Sequence, residues 1–149
     1  MTLQTQLSVF LVNKPGVLGQ VCDVLASERI NITALTMMDS SEHGVLRLVV
    51  EDPVRAKEAL SRINVPMTET EVLCVEMDNR PGALADVCRV LGDAHINISY
   101  AYLTTGTRGG KATGVFKVAD SRKALKVLSQ PRPKRRAAPV RMPRPARKA

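Results

Sequence analysis

Several kinds of chemistry are set aside by what this chain of 149 residues lacks. Its three cysteines (Cys22, Cys74, Cys88) form no even framework and no C-x-x-C pair, so neither a disulfide scaffold nor a thiolate metal site is expected. Reduced, buried thiols in a cytoplasmic protein are the plain reading. Two histidines, His43 and His95, stand in unlike contexts, a hairpin loop and the approach to a strand. With them comes no nucleophile–base pair, no metal-ligand spacing and no phosphate loop, so no catalytic residue, metal or cofactor is expected. No apolar run approaches the roughly 18–20 residues that would cross a bilayer. Residues 1–12 also lack the charged start and cleavage site of a secretory leader.

Acid is missing from one place only. The formal net charge is +8, yet all 14 Asp+Glu lie before residue 131. Arg132, Lys134, Arg135, Arg136, Arg141, Arg144, Arg147 and Lys148 stand beyond it unopposed. The body is therefore neutral and the tail basic. Five prolines share residues 130–149 with these cations, which reads as a disordered or polyproline-like segment. Such a tail offers phosphate or acidic-partner binding. It holds no aromatic residue to stack on bases.

What the chain does have, it has twice. Residues 13–33, NKPGVLGQVCDVLASERINIT, return 66 positions later as residues 79–99, NRPGALADVCRVLGDAHINIS, with 11 of 21 positions identical. A repeat of this kind means two copies of one folding unit. Units of about 65 residues bury only about 60% of their chain surface, so the halves should pack together and the whole chain should pair as a homodimer.

Each copy runs in the same order. Gln4–Val12 is β-rich and ends in the Asn13-Lys14-Pro15-Gly16 turn. Apolar spacing from Val17 to Leu25 predicts an amphipathic helix of about three turns. Ile30–Met38 and Val45–Glu51 read as a hairpin, and Asp52-Pro53 opens a second helix. The stretch 66–77 is extended and long enough for two strands. The second copy gives a turn at 79–82, a helix at 83–94, strands at 96–104 and 111–118, and a helix from Asp120. An α+β, ferredoxin-like βαββαβ fold in two tandem copies follows, with antiparallel sheets and helices on one face. The boundaries expected are 1–70, 71–129 and the tail 130–149. The second copy has no clear final strand, so an open sheet edge is expected there.

Two recurring features have no packing reason to recur. One is the Asn-x-Pro-Gly turn before a helix N-terminus, where unpaired N–H groups and the helix dipole suit a small carboxylate. A tight turn that needs Pro and Gly for its geometry is the alternative. The other is Asn31 and Asn97 in Ile-Asn-Ile, either a ligand-binding amide or a left-handed residue closing the preceding helix.

Together, the order βαββαβ, the Asn-x-Pro-Gly-x-Leu turn and the Ile-Asn-Ile start resemble ACT domains, small regulatory modules that bind amino acids. The resemblance covers residues about 2–129 as a tandem pair. It implies a ligand at the interface between modules, contacting Asn13, Gly16, Val17, Leu18 and Asn31, and in the second copy Asn79, Gly82, Ala83, Leu84 and Asn97. A serine-binding relative has histidine two residues before the turn Asn. This chain has Leu11 and Met77 there, which suits an apolar ligand side chain. The resemblance thus implies a non-enzymatic, amino-acid-binding regulator of a separate metabolic enzyme. The competing function is nucleic-acid or acidic-partner binding through the tail.

Overall fold

Alternating apolar residues set the sheet, and the computed structural model describes it over residues 1–38, 43–105 and 110–131. The tail from residue 132 and the tips of both hairpins lie outside these residues. The first copy contributes β1 (Thr2–Val12), α1 (Val17–Ser27), β2 (Ile32–Met38), β3 (His43–Val50) and α2 (Pro53–Ser61). The second contributes β4 (Met67–Asp78), α3 (Ala83–Asp93), β5 (Ile98–Thr105), β6 (Lys111–Val118) and α4 (Ser121–Ser129). The six strands form one antiparallel sheet in the order β2-β3-β1-β4-β6-β5.

The stretch expected to hold two strands is a single long one with two partners. Met67–Cys74 of β4 pairs with β1, and Leu73–Asp78 pairs with β6. β1 divides its length likewise, with Thr2–Val9 against β4 and Gln6–Val12 against β3. The open edge expected in the second copy is therefore not there. β1 lies beside β4 in the place of the missing final strand, and its main-chain groups satisfy that edge. Thr5 pairs with Glu71, its own counterpart in the repeat, so a pseudo-twofold axis passes between them.

Paired residues share a face, which puts all four helices on one side. Leu7, Val9 and Leu11 of β1 meet Val21 and Leu25 of α1 and Leu60 of α2 in one core. Leu73, Val75 and Met77 meet Val87, Leu91 and Phe116 in the second. α1 and α2 are also tied by charge, because Glu28 accepts from Arg62 at 2.6 Å and lies 3.5 Å from Arg55. Asp52 and Asp120 cap α2 and α4 by accepting from the N–H groups of Arg55 and Lys123 at 3.0 and 2.9 Å. Each such cap is worth about 1 kcal/mol.

The helix-free face is closed by curling. Edge strands β2 and β5 approach each other, and Ala34, Val49, Val72, Cys74 and Val115 form a third core between them. Beside it lies Gln6, 0% exposed. Its amide donates to Tyr100 Oη at 2.8 Å and Ser8 Oγ at 3.1 Å, and Tyr102 Oη donates to its carbonyl at 2.9 Å. Both tyrosines of the chain thus tie β5 to β1 across the sheet. The Arg47 guanidinium covers the Tyr100 ring at 3.7 Å. Of the cysteines, Cys74 is buried while Cys22 and Cys88 are half-buried, and all three are free.

Candidate functional site

The two turns are built alike, and the reason is glycine. Gly16 and Gly82 adopt φ of 88° and 87°, left-handed values that a Cβ disfavours. In the first turn the Lys14 N–H donates to the Val12 carbonyl at 2.9 Å, and Gln20 N–H donates to the Gly16 carbonyl at 3.0 Å. In the second, Arg80 donates to Asp78 at 2.9 Å and Asp86 to Gly82 at 2.9 Å. Neither α1 nor α3 has a side-chain cap. The N–H groups of Leu18 and Gly19 consequently have no protein acceptor among the described residues.

The turns differ in charge. Residue 20 is Gln in the first copy, and its counterpart in the second is Asp86, within the first turn of α3. Asp86 accepts from Arg80 at 3.0 Å and Arg89 at 3.1 Å, and these two guanidinium groups hold its carboxyl below the usual range. A carboxylate thus already occupies the dipole end of α3. That of α1 has no acid, so the first turn is the better anion seat.

Asn13, Gly16, Gly82, Asn31 and Asn97 are exposed, and Val17, Leu18 and Asn79 are half-buried. Ala83 is buried and Leu84 is 38% exposed. Leu11 is 1% exposed and Met77 9%, each inside its core beneath the turn rather than open to a ligand. Asn31 Nδ2 donates to Glu51 at 3.2 Å, and its carbonyl accepts from Glu51 N–H. Asn97 keeps the main-chain bond, from Ala119, without the carboxylate. Neither asparagine is left-handed, which corrects the helix-closing alternative. Arg29 and His95, two residues earlier, take φ of 56° and 55° instead.

Register keeps the two features apart. Val12 lies opposite His43, whereas Ile32 lies opposite Val50, at the other end of β3. Val12 and Ile32 are therefore about 23 Å apart along the strand direction, with Asn13 and Asn31 just beyond either end. Asn97 is no nearer to the first turn, because Val118 is level with Glu71 and Thr5 in the middle of β1. A ligand touching a turn and a strand-start asparagine together would need the second group from another chain.

A cavity of about 570 Å³ lies beside Asn31, lined by Leu3, Gln4, Thr5, Thr33, Val50, Glu51, Pro53 and Glu71. It opens where β3 leaves the sheet, so residues 2–5 of β1 have a partner on the β4 side only. Sequence reasoning missed it. Its one local signal is the excess length of β1 over its partner, together with the bulge between Ile32 and Ala34. Among the described residues, no three potential ligands cluster to hold a metal. No described helix is long and apolar enough to cross a membrane.

The description "ACT domain pair" fits this geometry, and the family model of that description matches residues 1–132. The chain belongs to the ACT domain pair family. No curated protein matches it in sequence. Among solved structures, protein BT0572 from Bacteroides thetaiotaomicron is 36% identical, with a TM-score of 0.78 over 85% of this chain and 86% of that one. The ligand-free regulatory subunit of aspartate kinase from Thermus thermophilus shares the ACT-pair fold at 14% identity, with a TM-score of 0.64 over 86% and 95%. The corresponding subunit from Thermus flavus matches at 16% identity and a TM-score of 0.59, over 85% and 93%.

Proposed function

We propose that this ACT domain pair is a non-catalytic regulator that binds an amino acid and modulates a separate enzyme of amino-acid metabolism. The observation that carries the reading is the uncapped N-terminus of α1, presented by Gly16 with free N–H groups and no acid in its first turn. The ligand carboxylate sits there. Asn31 of a second chain supplies the polar groups that its own chain holds more than about 20 Å away. Val17 and Leu18, rather than the deeper Leu11, meet the ligand side chain. Likeness to aspartate kinase regulatory subunits supports the regulatory role through the fold alone.

A thermal-shift panel of the twenty amino acids tests this. A ligand at 100 times its dissociation constant adds about 2.7 kcal/mol, a rise of several degrees in Tm. Asn13→Ala and Asn31→Ala should each abolish the rise without lowering the ligand-free Tm. No shift with any amino acid at millimolar concentration overturns the reading.

A further inference from the structure

The cavity beside Asn31, at about 570 Å³, has the size of a small-molecule site, and the turns make no use of it. It sets two carboxylates, Glu51 and Glu71, beside the apolar Leu3, Val50 and Pro53. The repeat shows that the fold requires neither acid. Ala119 is the counterpart of Glu51 in the second copy, and Thr5 is the counterpart of Glu71 in the first. Neither carboxylate forms an ion pair among the described residues. Glu51 accepts from the neutral Asn31 amide at 3.2 Å. Lys117 donates to the main-chain carbonyl of Glu71 at 3.4 Å, not to its carboxylate. Glu69, the counterpart of Leu3, makes the contrast, because there the chain provides its own ammonium group, Lys57 Nζ at 2.9 Å.

We propose that this cavity binds a linear aliphatic diamine, with one ammonium group on each carboxylate and the methylene chain against Leu3, Val50 and Pro53. Glu51 directly follows β3 and Glu71 lies on β4, the two strands that flank β1, so their main chains stand about 10 Å apart. Two ammonium groups joined by four or five methylenes span that gap when each side chain leans inward. Each then donates charge-assisted hydrogen bonds to one carboxylate. A monoamine satisfies only one of the two. An amino acid with a single ammonium group brings a carboxylate that the second glutamate repels. The site is also distinct from the first turn, because Thr5 and Val12 lie about 23 Å apart along β1.

Calorimetric titration of the full chain with 1,5-diaminopentane at low salt tests this, with Tm as a second readout. One diamine should bind per chain, and 1-aminopentane should bind at least about tenfold more weakly, since it loses one charged hydrogen-bonded contact. Glu51→Ala and Glu71→Thr place at each position the residue that the other copy already carries. Each should weaken diamine binding at least about tenfold while leaving the ligand-free Tm unchanged. No heat and no Tm rise at millimolar diamine, equal affinity for the monoamine, or full affinity in either variant overturns the site. The amino-acid panel reads the turn separately, so either reading can fail while the other stands.

Discussion

Phe116 and Gly114 show how one core can be filled in two ways. At the equivalent positions the first copy has Leu48 and Leu46. A Cβ at Gly114 would lie 2.6 Å from Phe116 Cε2 and 2.8 Å from Met77 Cε, so the ring occupies the space that a side chain at 114 would need. Gly114→Leu alone should overpack and destabilise by about 1–3 kcal/mol. Phe116→Leu alone should leave a void, at about 1–3 kcal/mol. Combined, the two recreate the leucine pair of the first copy, and urea melts should show the double variant well above the sum of the singles. Strict additivity would mean the two sites do not share a space. None of this was legible in the sequence, because Gly114 reads as an ordinary strand glycine until its neighbour two residues on is seen to lie over it.

Helices and turns were the legible elements, since their signals are local. Asp52, Pro53 and Asp120 announce their helices within three residues, and the Pro-Gly turns announce theirs. Strand partners were not legible. β4 carries no break where it passes from β1 to β6, and its pairing with β1 joins residues more than 50 positions apart. Asn31 was legible as unusual but not as distant from its turn, because that depends on the register of β3. At this scale acid sensitivity is predictable. Hydrogen bonding and charge from Arg62, helped by Arg55, lower the Glu28 pKa below its ordinary 4.5. The contribution of this link is complete above 4.5 and is lost as pH falls through the lower folded value. The stability gap between wild type and Glu28→Gln, followed by urea midpoint from about pH 6 to pH 3, should therefore close at the acid end. A gap that stays constant would mean the ion pair contributes nothing.

Across the whole molecule, the Gln6 network ties β5 to β1 on the curled face of the sheet. Tyr102→Phe would leave the buried Gln6 carbonyl without its donor, a loss of about 1–3 kcal/mol at neutral pH. Burial, with the neighbouring Tyr100 and Cys74, raises the pKa of the Tyr102 hydroxyl above its ordinary 10.0. A raised folded value means that its contribution is complete below 10.0 and is lost as pH climbs above it. Wild type and Tyr102→Phe should thus converge in alkaline urea melts, and parallel curves would show that the hydroxyl does not hold the curl. The long pairing of β1 with β4 has a consequence for synthesis. β1 leaves the ribosome before β4, which joins the two halves of the sheet and follows about 65 residues later, some 3–13 s at ordinary elongation rates. For that interval the N-terminal strand has an unpaired edge, so the second half of the message governs when the first half is safe from aggregation.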